Sequence, residues 1–258
     1  MKKKCAVFTL AHREEYFLPL WYKYYSKYFD DTDMYILNHK RKEQDEHNDG
    51  TNNLSCNIKT LINNSLHENN WMIKTLKNKQ KELLKRYEYV ICTDADELII
   101  PDPDKYNGIV DYIDYMKENK IDAICCYCYE VIQRLEEEPE DIKWNELILI
   151  NQRKYWINMS TYNKPLIASR PLNWSQGRHI ERGISLDIDN DLILAHLHKI
   201  DYETLKKSLE CNHKENICQT KANQYVGERF DKYFNNPHHD DCTDGVLTLI
   251  PERFKGIV

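Results

Sequence analysis

The stretch YVICTDADELII, residues 89–100, places Asp94, Asp96 and Glu97 between two apolar runs. The first run predicts a buried strand, and the two runs together hold the acidic loop near the core. Carboxylates in such a place repel one another unless something neutralises them. Because loops at the carboxyl ends of strands in α/β sheets line ligand crevices, we expect a ligand site at this loop.

Strands and helices alternate on either side of this stretch. Apolar periodicity predicts strands at 5–10, 33–39, 89–93 and 122–132, and helices at 17–29, 68–87 and 107–119. Continuous apolar strands that alternate with helices are typical of a buried parallel sheet. The sequence therefore predicts an α/β fold with a mainly parallel central sheet flanked by helices.

The pattern changes beyond residue 140. Short apolar runs at 146–150, 164–170 and 192–198 favour a mixed or antiparallel half, and helical patterns follow at 201–217 and 219–235. No repeat or Pro/Gly-rich linker interrupts the chain. We expect a single domain over 1–258 with a helical C-terminal region.

Composition limits the partners. The net charge is -6 and the basic residues form no stripe, so nucleic acid is not expected as a partner. The 9 cysteines follow no disulfide framework, which favours reduced thiols and a cytoplasmic location. The apolar stretch of residues 1–15 is too short for a signal peptide, and we expect no transmembrane segment.

A divalent cation would neutralise the acidic loop. Mn²⁺ and Mg²⁺ prefer carboxylate oxygens and leave coordination positions open for phosphate. The alternative is structural: Asp94 caps a following helix, and Asp96 and Glu97 lie in a solvated turn.

Several segments together resemble the family-2-like glycosyltransferases of the GT-A fold. They are Asp94-Ala95-Asp96, the opening FTLAHREEYFLPLWYKYY at 8–25, NDGT at 48–51, the Trp174-x-x-Gly177-x-His179 segment and HLHKIDYE at 196–203. The resemblance implies one GT-A-like (Rossmann-like) domain. Residues 1–130 would bind the nucleotide sugar, residues 131–200 would form the acceptor side, and residues 201–258 the C-terminal helices and tail.

The same resemblance implies an activity and its residues. A UDP- or GDP-sugar would donate its sugar, with inversion at the anomeric carbon, to a hydroxyl of a saccharide or glycoconjugate, with Mn²⁺ or Mg²⁺ as cofactor. The metal ligands would be Asp94, Asp96 and His198. The general base would be Glu181, with His179 as its rival. The donor would contact Thr9, Ala11, His12, Arg13, Asp49, Asp94 and Trp174.

Three downstream features add to this interpretation. The two-residue period of a strand puts His196 and His198 on one face, although a strand histidine is also common as a core residue. Trp174 is expected either to stack on a sugar ring or to lie in a plain hairpin. Lys164, Arg170 and Arg178 are candidates to offset the charge of a leaving diphosphate.

Two other classes of protein stay open. A metal-dependent nucleotidyl or phosphoryl transferase could use the same carboxylates, but the loop HREE at 12–15 lacks the glycines of a phosphate loop. A non-catalytic domain that binds a saccharide or a protein is the other alternative.

Overall fold

The computed structural model of the protein describes residues 2–42, 48–63, 69–214 and 245–258. The strands are β1 (Lys3–Ala11), β2 (Met34–Lys40), β3 (Asn57–Ile62), β4 (Tyr87–Thr93), β5 (Glu97–Pro101), β6 (Ala123–Ile132), β7 (Tyr155–Asn158), β8 (Lys164–Ala168), β9 (Ile188–Lys199) and β10 (Leu247–Leu249). The helices are α1 (Phe17–Tyr25), α2 (Asn69–Leu83), α3 (Ile109–Glu118) and α4 (Tyr202–Lys214). Within the described residues, no helix is long and apolar enough to cross a bilayer.

The chain divides into two compact units. The first comprises residues 1–127 and 162–194, and the second comprises residues 128–161 and 195–258. In the first unit, β4, β1, β2 and β3 are neighbours in that order and all pair in parallel. β8 adds to β4 antiparallel, β6 adds to β8 antiparallel, and β5 pairs with β9. The α/β prediction with its parallel sheet is confirmed.

Burial explains why the parallel strands form where they do. From Cys5 to Ala11 every residue of β1 is buried, as expected for a strand covered on both faces. Helix α1 packs against the sheet through aromatic residues, and Trp21 Nε1 donates a 2.7 Å hydrogen bond to Thr93 Oγ1 at the end of β4. This contact fixes the strand end that precedes the acidic loop.

The second unit is built from antiparallel pairs. β7 lies between β6 and β10 and pairs antiparallel with both. Helix α4 confirms the first of the two predicted C-terminal helices, whereas the second, at 219–235, lies outside the described residues. The prediction of an antiparallel half is confirmed, but the apolar run at 146–150 is not a strand: it forms a single bridge, between Leu149 and Arg153.

Candidate functional site

Three loops meet at the carboxyl edge of the parallel strands. Thr9 of β1 is level with Thr93 of β4, and Ala11 is level with Asn38 of β2. The chain therefore leaves all three strands at one edge, as parallel pairing requires. The loop after β1, the turn around Asp49 and the acidic loop after β4 share this edge.

The acidic loop is a tight turn between β4 and β5. The backbone N–H of Asp94 donates a 2.9 Å hydrogen bond to Glu97 Oε2, and the N–H of Glu97 returns one of 3.2 Å to the Asp94 carbonyl oxygen. No helix follows, because β5 begins at Glu97. The alternative in which Asp94 caps a helix is therefore wrong.

Two buried cations neutralise this turn. The Glu97 side chain has no exposed surface and forms ion pairs with Lys164 Nζ and, at 3.4 Å, with Arg178 Nη2. Asp94, whose side chain is 38% exposed, is ion-paired with Arg178 and, at 3.4 Å, with Lys164. Arg178 Nη1 also donates to the Cys92 carbonyl oxygen at 3.2 Å. The carboxylates of Asp94 and Glu97 are thus matched by two positive charges.

The pKa values follow from this network. Burial alone would lower the pKa of Lys164, but the carboxylates of Glu97 and Asp94 outweigh burial and raise it. Arg178 behaves in the same way, with Asp94 the largest opposing influence on its pKa. Both side chains therefore stay charged, as a buried ion pair requires.

Arg178 holds its position in a strained backbone conformation. Its φ is 62°, in the left-handed region that residues other than glycine seldom adopt. Arg13, in the loop after β1, has a φ of 60°. Such conformations cost about 1–3 kcal/mol each and cluster at functional sites. The carboxyl edge carries two of them.

Asp96 is close enough to Glu14, in the loop after β1, for its charge to affect the Glu14 pKa. Burial, followed by the charges of Asp96 and Asp94, raises the pKa of Glu14 well above its ordinary value. A raised pKa favours the neutral form of the Glu14 carboxyl group beside the two aspartates. In the part of the chain that the structure describes, no group of 3 or more His, Cys, Asp or Glu side chains forms a ready-made metal cage.

The turn around Asp49 packs onto the same loop. Gly50 has a φ of 72°, and a Cβ atom there would lie 2.5 Å from the Glu14 carbonyl oxygen. Asp49 accepts hydrogen bonds from Asn38 at 2.7 Å and from Thr51, and pairs with Lys40 at 3.0 Å. Burial alone would raise the pKa of Asp49, but these partners outweigh burial and lower it well below its ordinary value.

The predicted donor segment of residues 9–13 is only partly accessible. Thr9 and Ala11 are buried, whereas His12 and Arg13 are half-buried. His12 Nδ1 lies 2.9 Å from the His39 carbonyl oxygen, and the two rings lie 4.7 Å apart. Side-chain contacts with a ligand would therefore come from His12 and Arg13.

The segment around residues 170–182 is a hairpin. Trp174 and Glu181 form an antiparallel bridge, and the Ser175 N–H donates to the Ile180 carbonyl oxygen at 2.8 Å. Trp174 has no exposed surface, and its Nε1 donates to the Pro165 carbonyl oxygen at 2.8 Å. This burial favours the plain-hairpin alternative for Trp174 over stacking on a sugar.

The two candidate bases lie in this hairpin. Arg170 donates to both Glu181 carboxylate oxygens, at 2.6 and 2.7 Å. The hydrogen bonds from Arg170 lower the pKa of Glu181. His179 is half-buried, with its ring 4.9 Å from that of Tyr162 in an edge-on arrangement. The roles of Glu181 and His179 as a general base stay predictions.

The histidines of β9 belong to the second unit. The rings of His196 and His198 stack 5.9 Å apart with planes 10° from parallel, so the two lie on one face, as predicted. His196 Nδ1 lies 2.9 Å from the buried carboxylate of Glu130, and His198 is exposed. The role of His198 as a metal ligand stays a prediction.

Sequence reasoning missed two parts of the site. Glu14 was not singled out, although it follows a strand end in the segment that the resemblance covers. Lys164 and Arg178 were predicted to offset a diphosphate, whereas in the structure they neutralise Asp94 and Glu97. The signal for this pairing was the buried setting of Glu97, which demands a cation inside the fold.

Comparison with known proteins gives a limited result. No family model and no curated protein matches the chain. The chain is similar to the crystal structure of S. aureus TarS 1-349 in complex with UDP-GlcNAc, with 14% identity, a TM-score of 0.40, and 89% of this chain and 75% of that one covered. The crystal structure of S. aureus TarS has 15% identity and a TM-score of 0.41, with 91% of this chain and 44% of that one covered. The crystal structure of S. aureus TarS 1-349 in complex with UDP has 16% identity and a TM-score of 0.37, with 90% of this chain and 74% of that one covered. Values this low assign neither a family nor an activity to the chain.

Proposed function

We propose that the protein is a metal-dependent glycosyltransferase that moves a sugar from a nucleotide diphosphate sugar to an acceptor hydroxyl. The observation that carries this proposal is the meeting of three loops at the carboxyl edge of the parallel strands, with Asp94 and Asp96 in the acidic loop. The resemblance of these segments to family-2-like glycosyltransferases supports a UDP- or GDP-sugar donor, a saccharide or glycoconjugate acceptor and an inverting reaction.

The residues at this edge fit a hard divalent cation. Asp94 and Asp96 offer carboxylate oxygens, and Mg²⁺ is commonly held by one or two carboxylates together with substrate phosphates. Glu14 adds a third carboxyl group close to Asp94 and Asp96. Asp94 and Asp96 would hold Mn²⁺ or Mg²⁺, with His198 proposed as a further ligand. When bound, the ion supplies Lewis-acid stabilisation of a departing diphosphate.

Other side chains have positioning roles in this proposal. Lys164 and Arg178 hold the acidic turn in shape, so that Asp94 presents its partly exposed carboxylate at the edge. Asp49 is kept ionised and fixed by its hydrogen bonds, which suits it to accept hydrogen bonds from a nucleoside. Such preorganisation lowers the cost of binding.

The proton of the acceptor hydroxyl requires a base. Glu181 is ionised, but its pairing with Arg170 lowers its basicity, so it would have to leave that pairing to accept a proton. His179 is the rival candidate. An imidazole titrates near neutral pH and can accept a proton without breaking an ion pair.

The shift in melting temperature on ligand binding, compared between the wild type and Asp96→Asn, tests the proposal. We expect UDP, GDP or a sugar conjugate of one of them to raise the melting temperature of the wild type only with Mn²⁺, because a ligand at about 100 times its Kd stabilises by about 2.7 kcal/mol. Asp96→Asn should lose this shift. Asp114→Asn removes the same charge from an exposed ion pair with Lys4 and should keep it. A shift that survives a chelator, or that Asp96→Asn retains in full, would contradict the proposal.

Product analysis separates the alternatives. Glycosyl transfer or hydrolysis of the donor releases a nucleoside diphosphate, whereas nucleotidyl transfer from a nucleoside triphosphate releases pyrophosphate. A non-catalytic domain releases neither under conditions in which the ligand is bound. Loss of turnover in Asp96→Asn, with binding of the acceptor unchanged, would separate catalysis from simple saccharide binding.

A further inference from the structure

The four parallel strands of the first unit begin around a cavity. It has a volume of about 770 Å³ and lies where β1, β2, β3 and β4 start, at the edge opposite the acidic loop. We propose that this amino-end cavity binds an anion that carries two or more phosphate groups. The residues that argue for it are Lys2, Lys3, Lys85, Arg86, Tyr35 and Tyr87.

The cavity is positively charged in a protein that is negative overall. Its lining includes four cationic side chains and no carboxylate, whereas the whole chain has a net charge of -6. Nearby, Asp33 is 16% exposed; it pairs with Lys3 at 2.6 Å, accepts a 2.7 Å hydrogen bond from the Tyr87 hydroxyl and offsets part of this charge. Glu82 lies 3.8 Å from Arg86 in a pair whose two side chains are exposed, and such pairs are weak, so the lining keeps a positive potential that attracts anions.

Two buried tyrosines hold the Arg86 guanidinium in place. Its central carbon lies 5.5 Å from the ring centre of Tyr35 and 5.6 Å from that of Tyr87, within cation–π range. The tyrosine hydroxyls lie 2.9 Å apart, and the Tyr35 hydroxyl also lies 2.9 Å from the Thr32 carbonyl oxygen, so the rings are fixed. A guanidinium fixed in this way is prepared to bind a phosphate with two parallel hydrogen bonds.

The size of the cavity and its four cations favour a multiply charged ligand. Sites for small molecules have volumes of about 300–1,000 Å³, and a single phosphate fills only a small part of that range. One phosphate also engages one or two cations, whereas two or more phosphates can engage all four. The cavity is separated from the carboxyl edge by the length of β1, roughly 25 Å at the rise of a strand. It is therefore a site distinct from the acidic loop.

Calorimetric titration with inorganic pyrophosphate tests the proposal. The titration contains a chelator, so that binding through a metal at the acidic loop is suppressed. Lys85→Gln/Arg86→Gln removes two exposed charges of the cavity, and we expect the Kd to rise at least about tenfold, equal to about 1.4 kcal/mol. Lys23→Gln/Lys27→Gln removes the same charge from α1 and the turn after it, outside the cavity, and should leave the Kd within about twofold.

The pyrophosphate affinities of the three proteins decide whether the cavity is the binding site. Loss of affinity in the cavity variant alone supports the proposal. No binding to the wild type at millimolar pyrophosphate, or equal affinity in all three proteins, overturns it. If loss of Arg86 disturbs the tyrosines and the variant does not fold, Lys2→Gln/Lys85→Gln keeps the cation–π contacts and serves in its place.

A vesicle assay identifies the source of the phosphates. Vesicles of phosphatidylcholine with and without a phosphatidylinositol bisphosphate are floated with each protein, in the presence and absence of pyrophosphate. Pyrophosphate binding without flotation indicates a soluble phosphate compound. Flotation that needs the phosphatidylinositol bisphosphate, is competed by pyrophosphate and is lost in the cavity variant indicates a lipid headgroup. Flotation that the cavity variant retains, together with unchanged pyrophosphate affinity, overturns the proposal.

Discussion

Replacing Glu97 by glutamine should destabilise the fold strongly. The Glu97 side chain has no exposed surface, and its cationic partners Lys164 and Arg178 are only 6% and 3% exposed. Removing one member of a buried ion pair leaves an uncompensated charge and costs about 3–5 kcal/mol. Asp94 stays beside both cations but is 38% exposed, so it compensates in part. We therefore expect Glu97→Gln to lower the free energy of unfolding by about 3 kcal/mol.

Urea denaturation measures this loss as a lower transition midpoint with an unchanged slope. Glu88→Gln is the matched control, because Glu88 pairs with Lys117 at 2.6 Å and the two side chains are 33% and 55% exposed. An exposed pair contributes about 0–1 kcal/mol. If Glu97→Gln changes the free energy of unfolding by no more than Glu88→Gln does, the buried network does not stabilise the acidic turn.

Three further predictions concern other parts of the structure. Gly50→Ala should lower the melting temperature more than Gly183→Ala does: both glycines have a positive φ, but a Cβ atom at Gly50 would lie 2.5 Å from a backbone oxygen and one at Gly183 would meet nothing within 4 Å. Equal effects of the two substitutions would refute the packing of this turn. The hydrogen bonds from Arg170 lower the pKa of Glu181, so its ionised form stabilises the fold above about pH 4.3, and this stability is lost as the pH falls through the folded pKa. The difference in unfolding free energy between wild type and Glu181→Gln should therefore shrink in acid, and a difference that is constant with pH would contradict this. His198 is exposed, so His198→Ala should change the unfolding free energy by no more than about 0.5 kcal/mol, and it should lower turnover if His198 binds the metal. Full turnover at an unchanged melting temperature would exclude His198 as a metal ligand.

The parallel core was predictable because its pattern is local. β1 from Cys5 onward and β4, which ends at Thr93, are largely apolar runs, and such runs form buried strands. β3 was missed because five of its six residues are exposed and it lies at the edge of the sheet, where hydropathy carries little signal. β7 has only 4 residues, too few for a periodic pattern.

The charges of the site were predictable as residue types but not as pairs. The acidic loop after β4 follows from the sequence, since carboxylates beside an apolar strand need a counter-charge. The identity of that counter-charge does not follow, because Lys164 and Arg178 reach Glu97 through tertiary packing. Trp174 illustrates the same limit: its polar neighbours suggested exposure, and packing buried it.

The separation of the buried charges along the chain has a consequence for synthesis on the ribosome. Glu97 is translated 67 residues before Lys164 and 81 before Arg178. Until both cations have left the exit tunnel, a nascent chain cannot bury the Glu97 carboxylate in its final setting. Domains that depend on such distant contacts pass through partly structured intermediates that expose apolar surface. The strands on either side of the acidic loop are therefore expected to expose apolar surface on the growing chain until Arg178 has emerged.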